Sequence, residues 1–354
     1  APWRALPAVS ARLDAVPPGA RPEGWTTFAT APLAGTIRDV GVLDGGDAVL
    51  LVDDVVHLWR ASGSLTRLCP QHHAEGLLVQ AEGDRFLVLS GDDTEPTLLR
   101  SDDRGVTCAS VRLPSMALRD EPAGRLGLSL RGAVVHVWST AGGIGRSDDG
   151  GRTWRRVPGL RGVLDVTSSR DDTTFAAVAV GASGTRPRAA LYALPAGTRD
   201  WHPVQGAEHL VGPVALEARD DGAVLVGEAV GVATLSPDRA AREVGRRIDA
   251  AARLPLRAFN IVAPVGGGSF VAASRATVFH VTAEATTARW ALPEGRAIQA
   301  LDGTRDGWTV VTDGRGAWRF REAAEDAQSL LAPLRGELPV ALAARDIEGV
   351  LTTS

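Results

Sequence analysis

The sequence contains no lysine, so its 38 fixed side-chain cations are all arginines. With many Ala, Gly and Pro as well, this composition fits the codon bias of a GC-rich genome. The basic residues do not outnumber the 42 acidic ones, and the formal net charge is −4. That excludes the sequence-wide positive field on which nucleic-acid binding depends. No apolar run approaches the roughly 18 to 20 residues that a membrane-spanning helix needs. Aromatic residues make up only 5% of the chain, with a single tyrosine and a single methionine.

Cysteine is equally scarce. Cys69 and Cys108 are too few for a four-thiolate zinc site and form no Cys-x-x-Cys pair. A disulfide between them is the expectation in an oxidising compartment. Against it stands their separation of 39 residues, close to one structural repeat, because equivalent points on neighbouring repeats can lie too far apart to bridge. The chain opens at Ala1 rather than Met, as a mature form does after signal-peptide removal. A secreted or periplasmic monomer is expected. The sequence also lacks a Gly-Lys-Ser/Thr phosphate loop, a His-Glu-x-x-His helix and a Gly-x-Ser-x-Gly elbow, so nucleotide, zincin and serine-hydrolase chemistry lose their usual footing. No cofactor and no metal are expected.

What is present is repetition. The octet Ser101-Asp102-Asp103-Arg104-Gly105-Val106-Thr107-Cys108 returns 46 residues later as Ser147-Asp148-Asp149-Gly150-Gly151-Arg152-Thr153-Trp154. The pattern Ser-x-Asp-x-Gly-x-Thr-Trp is full in the second copy, and Cys108 replaces the tryptophan in the first. In each, the carboxylate of Asp103 or Asp149 is placed to accept backbone N–H groups of its own turn. Gly105 and Gly151 supply positive φ. Thr107 and Thr153 start the next strand, and Trp154 offers a large ring for burial. Weaker copies around Leu65–Leu68, Trp201, Arg242–Val244 and Trp290 keep a period of about 40 to 47 residues. Each unit reads as four short strands. In the fourth they are Val163–Ser168, Thr174–Val180, Ala189–Leu194 and Asp200–Val204.

The octets resemble the Asp box, or BNR repeat, of sialidase-like, sortilin-like and photosystem-assembly-factor propellers. The resemblance implies one all-β domain over 1–354, a β-propeller of four-stranded blades. Seven complete units fit between residues 32 and 334. The segments 1–31 and 335–354 are left to build a closing blade: Val340–Arg345 and Val350–Thr353 as its first strands, Trp3–Val9 as a third and Trp25–Phe28 as its last. Such closure hides sheet edges and favours eight blades, with seven as the alternative.

The sialidase family works with a tyrosine nucleophile, a partner glutamate, an acid/base aspartate and an arginine triad. The only tyrosine here, Tyr192, sits in an apolar strand, and no Phe/Tyr-Arg-Ile-Pro motif occurs. The Asp pairs at 53–54, 92–93, 102–103, 148–149, 171–172 and 220–221 all fall where turns are due. His72, His73 and Glu75 cluster in one loop, but adjacent histidines in extended backbone point apart. Aligning the units puts Arg161, Arg257, Arg296 and Arg335 in the same link between one unit's last strand and the next unit's first. Such a partial ring of guanidinium groups would draw an anionic partner. The expected function is an exported, non-enzymatic platform binding a protein or glycan. A secreted sialidase-like glycoside hydrolase is the alternative.

Overall fold

The computed structural model describes residues 26–27, 35–70, 76–91, 95–115, 124–183, 186–205, 207–211, 214–218, 224–228, 231–235, 248–252, 261–265, 269–274, 277–281, 286–291, 297–304 and 308–321. After β1 (Thr26–Thr27) comes a first sheet of β2 (Ile37–Val42), β3 (Ala48–Val52), β4 (Val55–Trp59) and β5 (Leu65–Arg67). The second holds β6 (Gly76–Glu82), β7 (Arg85–Ser90), β8 (Thr97–Ser101) and β9 (Ala109–Arg112). The third holds β10 (Leu126–Arg131), β11 (Val134–Ser139), β12 (Ile144–Ser147) and β13 (Arg155–Val157). The fourth holds β14 (Val163–Ser168), β15 (Thr174–Ser183), β16 (Arg186–Leu194) and β17 (His202–Pro203), with β18 (Leu210–Val211) also on β16.

The fifth sheet is β19 (Ala215–Ala218), β20 (Val224–Glu228), β21 (Gly231–Leu235) and β22 (Ile248–Ala252). The sixth is β23 (Ile261–Val265), β24 (Ser269–Ser274), β25 (Thr277–Val281) and β26 (Thr286–Ala291). The seventh is β27 (Ala300–Gly303), β28 (Trp308–Thr312) and β29 (Ala317–Arg321), and its fourth member is β1. All these pairings are antiparallel. In the fourth unit the first strand has the bounds expected from sequence, while the second and third run on into a longer hairpin, with Ser183 opposite Arg186. No helix among the described residues is long and apolar enough to cross a membrane.

Buried apolar side chains lie between neighbouring sheets. Phe86, Val88 and Leu99 of the second meet Leu51 and Leu58 of the first, and Leu87, Leu89 and Leu98 meet Val135 and Val137 of the third. Short runs such as Ala-Val-Leu-Leu-Val in β3 are buried on both faces because a sheet stands on either side. The first sheet also packs on the seventh: Ile37, Val40 and Trp59 share a core with Ala300, Val310 and Ala317. The Arg319 guanidinium lies 3.9 Å from the Trp59 ring centroid and donates to the Trp59 and Arg60 carbonyls.

Thr26 pairs with Arg319 and Thr27 with Trp318. Thr26–Thr27, within the expected strand Trp25–Phe28, therefore supply an outermost strand, but to the sheet built from residues 300–321. The other expected strands of an eighth blade, at 3–9, 340–345 and 350–353, lie outside the described residues. By its contacts the chain groups into Ala1–Phe320 and Arg321–Ser354.

Candidate functional site

The two octets fold alike. Ser101 Oγ donates to Asp103 Oδ1 at 2.8 Å and accepts the Gly105 N–H at 2.7 Å. The Thr107 N–H and hydroxyl then donate to the two Asp103 oxygens at 2.8 and 2.6 Å. In the second copy Ser147 Oγ bonds Asp149 and the Gly151 N–H, and Thr153 donates N–H and hydroxyl to Asp149 at 2.8 and 2.6 Å. Gly105 and Gly151 have φ of 87° and 90°, a region that penalises any Cβ. The Thr153 hydroxyl and N–H, with Ser147, hold the Asp149 carboxyl well below the ordinary carboxylate range, and Thr107 does the same for Asp103. Trp154 closes its octet by donating Nε1–H to the Gly151 carbonyl at 3.1 Å and packs on the core between the second and third sheets. Its counterpart Cys108 is disulfide-bonded to Cys69. Their Cα atoms are 5.8 Å apart, since the octet of the second sheet turns back over the end of the first.

Asp149→Ala is expected to lower the melting temperature, while Arg152→Ala on the exposed flank leaves it near wild type. A carboxylate with a depressed pKa contributes stability that is present above its unfolded value and lost only as pH falls through the folded one. The deficit of the alanine variant should therefore be constant between pH 5 and 8 in thermal melts; a variant melting like wild type would remove Asp149 from the architecture.

The sequence drew attention to paired aspartates, and those described sit in turns: Asp53, Asp54 and Asp172 have positive φ. Asp92, Asp93, Asp220 and Asp221 lie outside the described residues, as do His72, His73 and Glu75. Asp148 and Asp172 border a cavity at the boundary of the third and fourth sheets, and solitary carboxylates on the innermost strands face another. A cavity of about 540 Å³ is lined from β2, β6, β10, β14, β19, β23 and β27, among them Asp39, Asp165, Glu217 and Asp302. A second opening of about 350 Å³ shares Gln80, Glu217 and Asp302 and adds Glu82, Arg131 and Thr304. Among the described residues no group of three His, Cys, Asp or Glu could hold a metal ion.

Three of these carboxylates are tied to the neighbouring sheet. Asp39 Oδ2 accepts the Val79 N–H at 2.8 Å, Asp165 Oδ2 the Leu216 N–H at 2.6 Å, and Asp302 Oδ2 the Val42 N–H at 2.7 Å. Burial pushes each up to about 7 even against those hydrogen bonds. Among the described residues Glu217 accepts only the N–H of Ala218, at 3.2 Å. Burial first, then the charge of Asp302, raises it to about 8, with Arg131 opposing. All four are half-buried, with the cavity on one side and protein on the other.

Tyr192 belongs to a different environment. It is half-buried on β16 against the core between the third and fourth sheets, and it lines none of the cavities described. Of the four arginines aligned by sequence, only Arg161 is among the described residues. It is exposed and borders a cavity of about 720 Å³ with Arg156 and Arg199. Through Arg155, Leu194 and Thr198 that cavity continues into one of about 840 Å³ that reaches Arg131 and Arg170. Together the two make one cleft along the boundary between the third and fourth sheets.

No family model matches the chain, and no curated protein does. Solved structures do resemble it. YCF48 bound to D1 peptide is 14% identical with a TM-score of 0.57, covering 86% of this chain and 99% of that one. Streptogramin B lyase is 11% identical with a TM-score of 0.59, covering 83% and 96%. The extracellular domain of the one-component system BT4673 from B. thetaiotaomicron is 10% identical with a TM-score of 0.57, covering 85% of this chain and 42% of that chain. At such identities the likeness is one of fold, and the fold is a β-propeller.

Proposed function

We propose that the chain is an exported, non-enzymatic binding platform, a single propeller domain that offers a rigid basic cleft to a protein or glycan partner bearing negative charge. The observation that carries this reading is the cleft itself: Arg156, Arg161 and Arg199 are exposed there and make no ion pair among the described residues. Arg257, Arg296 and Arg335 would extend the same basic character along the equivalent links. The octets with their shared hydrogen bonds support the Asp-box assignment. The Cys69–Cys108 bridge supports export, because such bonds persist in oxidising compartments. Peptide binding by a propeller of similar fold, YCF48, is consistent with the platform role.

Seven blades closed by the amino-terminal strand is the architecture we favour over eight. The pairing of β1 with β29 fills the fourth position of the seventh sheet, and the core shared by the first and seventh sheets supports closure there. A chain ending at residue 321 should then stay soluble and unfold cooperatively. Aggregation of that truncation would return the closing role to the carboxyl-terminal segment.

One observation favours the glycoside hydrolase: Glu217, raised to about 8, keeps a proton at neutral pH as a general acid must. The acid/base partner is harder to supply, because Asp39, Asp165 and Asp302 are engaged with backbone N–H groups. A panel of anionic peptides and glycans measured for saturable binding, beside chromogenic glycosides measured for turnover, separates the two readings. Turnover that disappears in Glu217→Gln would overturn the platform.

A further inference from the structure

The outer edges of the first four sheets are guarded. Their outermost strands span two to four residues and carry arginine or proline: Arg67 in β5, Arg112 in β9, Arg155 and Arg156 in β13, Pro203 in β17. Short length and such residues keep a sheet edge from recruiting another strand. The fourth sheet has a second edge of a different kind. Second and third strands elsewhere have four to six residues, whereas β15 has ten and β16 nine. The ladder between β14 and β15 ends with Val163 opposite Val178 and one last bond, from the Ala179 N–H to the Gly162 carbonyl at 2.8 Å. Beyond it Gly181 pairs with Arg188, Ala182 with Pro187 and Ser183 with Arg186, while the other side of residues 180–183 has no strand among the described residues. The far edge of the same hairpin is already filled, because β18 adds there with Val211 opposite Arg188 and Leu210 opposite Ala189.

The overhang, Ala-Val-Gly-Ala-Ser from 179 to 183, has neither charge nor proline. Ala179, Val180 and Gly181 are exposed, Val180 at 49%, and a Cβ added at Gly181 would meet nothing within 4 Å. Val180 is the extra residue of a bulge, which bends a strand and re-aims the edge beyond it. Gly181, at φ 126°, takes a conformation that other residues rarely adopt. Such an edge offers backbone N–H and C=O groups that alternate at the spacing of an extended chain. A polypeptide strand matches that row donor for acceptor; a sugar chain lacks the repeat. Arg188 is exposed opposite Gly181, which has no side chain to screen it, and exposed Arg161 adjoins Gly162 where the ladder stops. An incoming strand therefore meets positive charge.

We propose that residues 180–183 are a docking edge for an extended, acidic segment of a protein partner, which adds to β15 as a strand where β14 leaves off. The inference rests on the binding-platform reading and chooses protein over glycan. Backbone hydrogen bonds supply the affinity in this mode of recognition, and side chains supply the selection. Here Val180 offers the apolar contact, and Arg161 and Arg188 favour carboxylates on the incoming strand.

The test titrates the full chain with an end-blocked hexapeptide, Glu-Val-Thr-Val-Thr-Glu, N-methylated at alternate residues so that one edge can pair and the peptide cannot stack on itself. The control has the same side chains with every residue N-methylated. The expected result is saturable binding of the first and a loss of about tenfold or more with the second, whose backbone donates nothing. Hydrogen exchange at the amides of residues 180–183 should be fast in the free chain and slow in the complex. Closing the hairpin early, with Asn-Gly in place of residues 180–187, should abolish binding and leave the melting temperature near wild type, since the buried part of the sheet remains. The peptide pair and the exchange rates decide the matter should that variant fold poorly. Equal binding of the two peptides, slow exchange at 180–183 in the free chain, or binding that survives in the shortened variant would overturn the proposal. So would a dimer in sedimentation that the shortened variant loses, because it assigns the edge to a second copy. If the probe fails while other anionic ligands saturate the cleft, strand addition falls and the platform stands; if nothing binds and a glycoside is turned over, the platform itself falls.

Discussion

Replacing Glu217 by Gln is expected to make the protein more stable at pH 8 and to change little at pH 5. The folded carboxyl titrates near 8, above the ordinary 4.5, because it is surrounded by protein and faces the charge of Asp302. Below pH 4.5 folded and unfolded chains both hold the proton, and its contribution is fully present. As pH rises through 8 the unfolded chain has long released that proton, and the contribution is lost. Gln keeps the neutral form at every pH. Taken alone the shift would give more than 4 kcal/mol, but the half-buried side chain lines an open cavity, so a gain of about 2 kcal/mol at pH 8 is the better expectation. Asp39, Asp165 and Asp302, each raised to about 7, act in the same direction.

His136 and the octet carboxylates oppose them on the acid side. Burial, reinforced by Arg146, lowers His136 to about 3, so its contribution is present above 6.5 and lost as pH falls toward 3. Above pH 4 four carboxylates lose stability against the gain of one histidine, so stability should peak at acidic pH, at about 4. Urea denaturation from pH 3 to 9 on both proteins tests this. A maximum above pH 8, or parallel curves for wild type and Glu217→Gln, would show that the cavity carboxylates titrate normally.

The second large effect is expected from the Cys69–Cys108 bond. It closes a loop with a sequence separation of 39, and the chain-entropy relation gives about 4 kcal/mol for its loss. Cys69→Ser with Cys108→Ser, or full reduction confirmed by mass, should lower the urea midpoint accordingly. The reduced protein should also lose protection first where the bond ties the two sheets together, at the end of β5 and the octet before β9. Hydrogen exchange resolves that pattern; an unchanged midpoint would mean that the bond adds nothing to the closed core on either side.

Much of this was legible because turn chemistry repeats. Ser101–Cys108 and Ser147–Trp154 show their hydrogen-bonding groups in the sequence itself, and the strands follow from the turns. The paired aspartates were correctly placed in turns where they are described. What escaped were the isolated acids inside first strands, in Arg38-Asp39-Val40, Leu164-Asp165-Val166, Leu216-Glu217-Ala218 and Leu301-Asp302-Gly303. A lone acid inside a first strand is the signal, because the free edge of the innermost strand borders the cavity. The cleft was glimpsed through Arg161 alone. Arg156, Arg170 and Arg199 sit at different places in their units, so aligning repeats could not unite them; only the packing of two sheets does.

The bond from the Val42 N–H to Asp302, 260 residues further along, has a consequence for how the chain is made. A ribosome releases the first sheet long before its partner exists, at about 5 to 20 residues per second. Until β29 emerges, β1 has no strand to pair with, and Trp59 lacks the Arg319 that covers it. Completion must wait until Ala317–Arg321 has been made, and such non-local closure is intrinsically slow. A nascent chain of this design spends its early life with its first sheet only half covered.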